Sequence, residues 1–195
     1  ADPQRPTLLS LDEVLQRLLA VAHDRVLPEV EKVDTFDSLG RVLARGVVSA
    51  LDVPPADNTS MDGYAMRAAD VPTAGTVLPV SQRIPAGVVG QPLQPGTAAR
   101  IFTGAPVPPG ADAVVMQEQC VAVGDASTGA AVRIDAVPQP GQWVRRRGED
   151  VRSGAVVLPA GTRLTPQALG LAASVGAATL AVTRRPRVAL FSTGD

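Results

Sequence analysis

Glycine and proline divide the middle of this chain into pieces too short for most folds. There are 18 of each in 195 residues. With aspartate they separate the runs "GYAMRAADV", "TVLPVSQRI", "GTAARIFTG", "ADAVVMQEQCVAV" and "AAVRIDAV". Apolar cores of about four to eight residues between turn formers read as strands, and their near-regular spacing predicts a small β-barrel or sandwich. Aromatic residues make up 3% of the chain, so such a core must be built from Val, Leu, Ala and Ile. A hydrophobic content of 45% with 19% charged residues fits a soluble globular chain rather than a disordered one.

The flanks read differently. In "SLDEVLQRLLAVAHDRV", residues 10–26, Ser10 and Glu13 form a capping box. Leu11, Val14, Leu15, Leu18, Leu19 and Ala22 make one apolar stripe of a helix that Pro28 ends. A short helical turn is expected near Asp37–Leu43. Thr165 followed by Pro166 predicts a second helix over 166–175, with Gly176 as its cap, and "ATLAVTRRP" then reads as a strand. The closing "RVALFSTGD" has the pattern of the first strand and loop of a parallel α/β domain, where ligands gather. The sequence stops in that loop, so the expectation is a portion of something longer.

Several function classes find no support. No apolar run approaches the roughly 18–20 residues that span a bilayer, and "ADPQRPT" does not read as a signal peptide. A lone cysteine, Cys120, excludes an internal disulfide framework and any CxxC metal site, which fits a reducing compartment and a cytoplasmic location. The single histidine, His23, has no second ligand near it in sequence. A net charge of −1 gives no reason to expect nucleic acid or a membrane surface as partner. Lys32 is the only lysine, so a bound phosphate or oxyanion would be held by guanidinium groups.

Three stretches could carry chemistry. "DNTSMDGYAMR", Asp57 to Arg67, sets Asp57 and Asp62 five residues apart among turn-forming side chains. It reads as a hydrogen-bonded turn before a strand, or as the wall of a site. "RRRGED", Arg145 to Asp150, is either a solvated, mutually paired turn or a place for an oxyanion and a hard cation. Alternation along an extended chain would send Arg145 and Arg147 to one side and Arg146 to the other. In "RIFTGAPVPPG" the Thr103 hydroxyl and the Gly104 N–H could serve a phosphate, or the stretch could be no more than a rigid loop.

Taken in order, "LDVPPADNTSMDGYAMR", "RIFTGAPVPPGADAVVMQEQ", "RRRGEDVRSGAVVLPAGTRL" and "RVALFSTGD" closely resemble the MoeA family of molybdopterin molybdenumtransferases, to which the molybdenum-inserting domain of gephyrin is related. The first stretch departs from the usual "DNSAMDGYA" only at Thr59 and Ser60. The resemblance implies an α+β, predominantly β chain: a helical region at 1–27, an elongated linker domain from 28–50 and 146–185, a β-barrel-like domain inserted at 51–145, and at 186–195 the start of a truncated molybdopterin-binding domain. It implies insertion of molybdate into adenylylated molybdopterin with release of AMP, assisted by Mg2+, in a homodimer. Asp62 and Asp150 match the family's acids, catalytic and cation-binding. Thr103, Gly104 and Arg145 match its substrate-binding positions. A portion of this length should be inactive alone, since much of the cleft would lie outside it.

Overall fold

The computed structural model describes residues 9–23, 29–124 and 130–192. In chain order its elements are helix α1 (Leu11–His23) and strands β1 (Val30–Asp34), β2 (Val47–Val48), β3 (Asn58–Thr59), β4 (Gly63–Met66), β5 (Thr76–Ile84), β6 (Ala98–Ile101) and β7 (Ala113–Met116). There follow β8 (Cys120–Val123), β9 (Ala131–Ile134), β10 (Val144–Arg145), β11 (Val156–Leu158), helix α2 (Pro166–Ser174) and β12 (Thr179–Thr183). The chain is predominantly β with few helices. It divides into two compact units, one of residues 1–47 with 157–195 and one of residues 48–156. No helix among the described residues is long and apolar enough to cross a membrane.

The middle unit is built on one curled six-stranded sheet in the order β7-β4-β6-β5-β9-β8. β7 and β8 are its edges, so it is an open half-barrel and not a closed barrel. Every pairing is antiparallel except β5 with β6. Because side chains alternate along a strand, the sheet has a core on each face. Ala65, Ile84, Ala99, Ile101 and Val114 pack on one side with Leu93 and Ala105. Met66, Leu78, Ala98, Val115, Val132 and Ile134 pack on the other with Val71. The residues are small and branched, as the scarcity of aromatics requires.

Gly63 opens β4 opposite Met116 of β7 and Ile101 of β6. A Cβ there would lie 2.0 Å from the Val115 carbonyl oxygen. Only glycine allows β7 to approach this closely.

In the other unit β1 and β12 pair antiparallel, Val30 with Thr183 through Asp34 with Thr179. The capping box of α1 forms as expected: the Glu13 carboxylate accepts from the Ser10 N–H at 2.8 Å, and the Glu13 N–H reaches Ser10 Oγ at 3.3 Å. Residues 24–26 of the expected helix lie outside the described residues. The apolar stripe of α1 is exposed, Leu11 at 82% and Leu18 at 62%. α2 starts where Thr165-Pro166 predicts, with Thr165 Oγ1 accepting from the Ala168 N–H. It ends at Ser174, with Val175 as cap and Gly176 one residue further on.

Two expectations need correction. The turn near Asp37–Leu43 is a 3-10 turn at Thr35–Ser38. Val42 and Leu43 form β-bridges to Arg163 and Val182 instead, which draws them out of any helix. Residues 187–192 of the closing stretch are not a strand: Val188, Leu190 and Phe191 are 74%, 91% and 87% exposed, and no strand among the described residues pairs with them. An isolated strand has nothing to accept its ladder of hydrogen bonds.

Candidate functional site

All five residues singled out as site positions belong to the middle unit, and the two-residue strand β3 gathers them. On one side β3 pairs with β10, Asn58 opposite Arg145 and Thr59 opposite Val144. On the other it meets the proline-stiffened loop. The Thr59 N–H donates to the Ala105 carbonyl at 3.0 Å, the Gly104 N–H to the Thr59 carbonyl at 2.8 Å, and the Val107 N–H to the Asp57 carbonyl at 2.9 Å. Thr59 itself is buried, its hydroxyl donating to the Met61 carbonyl at 2.7 Å and accepting from the Met61 N–H. This side-chain turn ends the strand and delivers Asp62 to the start of β4. Three stretches separated by about forty residues each thus share one small patch of backbone.

Asp62 and Thr103 are in direct contact. Asp62 Oδ1 accepts from both the Thr103 N–H and the Thr103 hydroxyl, each at 2.8 Å. Those two bonds, the N–H first, hold the Asp62 carboxyl below the usual aspartate range, and the nearby Arg100 adds to the effect. Asp62 Oδ2 has no donor in reach among the described residues. Gly104 has φ +82° and open space where a Cβ would point. Its N–H is committed to Thr59, so what it can offer a ligand is close approach and not a free donor.

The arginine triplet is fastened residue by residue. Both Asp150 oxygens accept from one Arg145 nitrogen, at 2.7 and 2.6 Å, and Arg145 Nε reaches Glu149 at 3.5 Å. The Asp150 contact raises the Arg145 pKa further. Asp57 accepts from the Arg147 N–H at 2.8 Å and the Arg146 guanidinium at 2.7 Å. Asp52 accepts from the Ser153 N–H at 2.8 Å and Arg147 Nε at 2.6 Å. Both aspartates are held in the ionised form, Asp57 chiefly by the Arg147 N–H and Asp52 chiefly by the Ser153 N–H. The expected alternation fails because β10 ends at Arg145 and the chain then turns. Arg146 and Arg147 reach back to the acids before β3, whereas Arg145 turns to Asp150.

Asp62 with Thr103 and Arg145 with Asp150 therefore form two polar pairs joined through β3. Among the described residues no three His, Cys, Asp or Glu side chains gather in a way that could hold a metal ion. The roles of Asp52 and Asp57 in holding the arginines were not read from the sequence. The available signal was numerical: two acids five apart, ahead of β3, facing two of the three arginines.

The geometry belongs to a recognisable class. Residues 9–176 match the family model described as MoeA N-terminal region (domain I and II), so the chain belongs to the MoeA family. It is 44% identical over 174 residues to a molybdopterin molybdenumtransferase of Nostoc sp., covering 86% of this chain and 38% of that protein. It is also 44% identical over 184 residues to molybdopterin molybdenumtransferase 2 of Mycobacterium tuberculosis, covering 89% and 44%. A crystal structure of the molybdopterin biosynthesis MoeA protein from Pyrococcus horikoshii superposes with a TM-score of 0.80 at 35% identity, over 92% of this chain and 47% of that one. The chain spans less than half the length of these relatives.

Proposed function

We propose that this chain supplies part of the cleft of an enzyme of molybdenum cofactor biosynthesis, one that inserts molybdate into adenylylated molybdopterin and releases AMP. The observation that supports this best is the convergence on β3 of the three stretches that resemble the family's motifs. Asp62 and Asp150 are the acids of the reaction in this reading, and Thr103, Gly104 and Arg145 meet the substrate.

The chemistry follows from the two pairs. Thr103 keeps Asp62 ionised while leaving Oδ2 open, so the carboxylate is ready to position a cation or water beside a phosphoanhydride. Arg145 and Asp150 neutralise each other until an oxyanion arrives. Molybdate or a phosphate oxygen competes for the guanidinium, and the Asp150 carboxylate is released as it does so. Mg2+ takes hard oxygen donors and is commonly held by one or two carboxylates plus substrate phosphates. In this reading Asp62 and a released Asp150 are the carboxylates that would hold it. Bound there, the ion would neutralise charge at the phosphoanhydride. The working enzyme in this reading is a cytoplasmic homodimer, and these residues alone do not turn over substrate.

The test is complementation. The full-length protein, with and without Asp62→Asn, is expressed in cells lacking their own molybdenum insertase, and a molybdoenzyme activity is read. Rescue by the intact protein and failure of the folded variant is the expected result. Equal rescue by both would reduce Asp62 to the turn residue it also is.

A further inference from the structure

The middle unit has an open cavity of about 720 Å³ on the Met66–Ile134 face of its sheet, lined by neither Asp62, Thr103, Arg145 nor Asp150. Its wall includes Tyr64, Val80, Ser81, Arg83, Arg100 and Ala131, from four adjacent strands. Tyr64 and Val80 also border the apolar core on that face, so the cavity continues the core outward. The volume lies in the range of small-molecule sites, about 300–1,000 Å³.

Two charges set it apart. Arg83 of β5 and Arg100 of β6 stand directly opposite each other in the parallel register. Both guanidiniums lie over the Phe102 ring, each 4.5 Å from its centroid, and Arg100 also lies 5.1 Å from the centre of Tyr64. Neither is in an ion pair with any described carboxylate. Arg100 donates to the Gly63 carbonyl at 2.9 Å and to Gln117 Oε1 at 2.6 Å, both uncharged. Like charges opposite each other on neighbouring strands are unfavourable. The aromatic rings offset part of that repulsion and fix both guanidinium planes. Five other arginines of this unit have carboxylate partners, Arg67, Arg133, Arg145, Arg146 and Arg147, and Arg152, like Arg83 and Arg100, has none among the described residues. What distinguishes Arg83 and Arg100 is that they stand side by side on the cavity wall, where one anion can meet both.

We propose that this cavity is a binding site for a small phosphate monoester carrying a flat ring. The phosphate lies against Arg83 and Arg100, whose planar forks suit such an oxyanion. The ring lies against Tyr64 and the aliphatic wall of Val80 and Ala131. A bare phosphate would leave most of the cavity unfilled and its apolar wall in water, so the ring is part of the requirement. The site stands on these residues alone and does not depend on the transferase reading.

The test is an amide-shift titration of the ¹⁵N-labelled chain with 1-naphthyl phosphate, and with inorganic phosphate as the ring-free probe. Saturable shifts at Tyr64, Ser81–Arg83 and Ala131 are expected, with inorganic phosphate at least about tenfold weaker. Arg83→Gln, which removes no side-chain hydrogen bond among the described residues, should weaken naphthyl phosphate at least about fivefold and leave distant amides in place. Shifts centred on Thr103 and Arg145 instead, equal affinity in the variant, or no saturation in the millimolar range would each overturn the assignment.

Discussion

Replacing Gly63 with alanine tests the packing of the sheet and the placement of the site together. The new Cβ would sit 2.0 Å from the Val115 carbonyl oxygen and 2.9 Å from its carbon, where 3.4 Å is the near limit of ordinary contact. β4 or β7 must therefore shift by about 1.4 Å at this point. β4 cannot simply retreat, because β6 pairs with it on the other side, Ile101 opposite Gly63. The blocking atoms are backbone, so no rotamer change relieves the clash. Backbone displacement from overpacking costs about 1–3 kcal/mol. One or two ladder hydrogen bonds lost at the β4–β7 edge add about 1 kcal/mol each. Reduced freedom of the unfolded chain returns about 0.4–1 kcal/mol. The net expectation is a loss of about 2–4 kcal/mol, or about 5–15 °C in Tm for a chain of this size. Urea unfolding reads the stability, and amide exchange at Tyr64 and Ala65 reads the local opening. Gly170→Ala is the control: it is exposed in α2, has nothing within 4 Å of the new atom, and should be neutral or stabilising by up to about 1 kcal/mol. A loss below about 1 kcal/mol for Gly63→Ala, or one no greater than the control's, would refute the close-approach reasoning.

Other expectations follow from the same contacts. Asp52, Asp57, Asp62 and Asp70 all have carboxyls held below their unfolded range. Their contribution to stability is therefore fully present above the unfolded value near 4 and is lost as pH falls through the lowered folded values. Denaturant midpoints should be flat from pH 7 to about 5 and drop below about 4; a midpoint that holds to pH 2 would contradict this. Asp57→Asn should cost no more than about 1 kcal/mol overall, since its pairs are largely exposed. It should nonetheless speed amide exchange at Arg147, and unchanged exchange there would show that Asp57 does not fasten the loop. Burial pushes the Cys120 thiol up to about 11. Iodoacetamide at pH 8 should label the folded chain far more slowly than the urea-unfolded one, and equal rates would place the thiol in water.

Local features were legible because their causes are local. Ser10 and Glu13 are three residues apart and cap each other whatever the rest of the chain does. Thr165-Pro166 starts α2 for the same kind of reason, and "TVLPVSQRI" coincides with β5 from Thr76 to Ile84. The residue types suited to an oxyanion and a cation could also be read in place. Which of them meet is a different matter. Arg146 reaches Asp57 across 89 positions and Thr103 reaches Asp62 across 41. No periodicity encodes such distances, because they depend on the register in which β3 pairs with its two neighbours. The parallel pairing of β5 with β6 likewise has no local signal, and it alone brings Arg83 beside Arg100. The sequence by itself determined the short strands, the helix starts and the chemical character of each motif, all set by neighbours along the chain. Tertiary structure decided which carboxylate each paired guanidinium meets and that Arg83 stands beside Arg100, because strand register is fixed by contacts that the linear order does not contain.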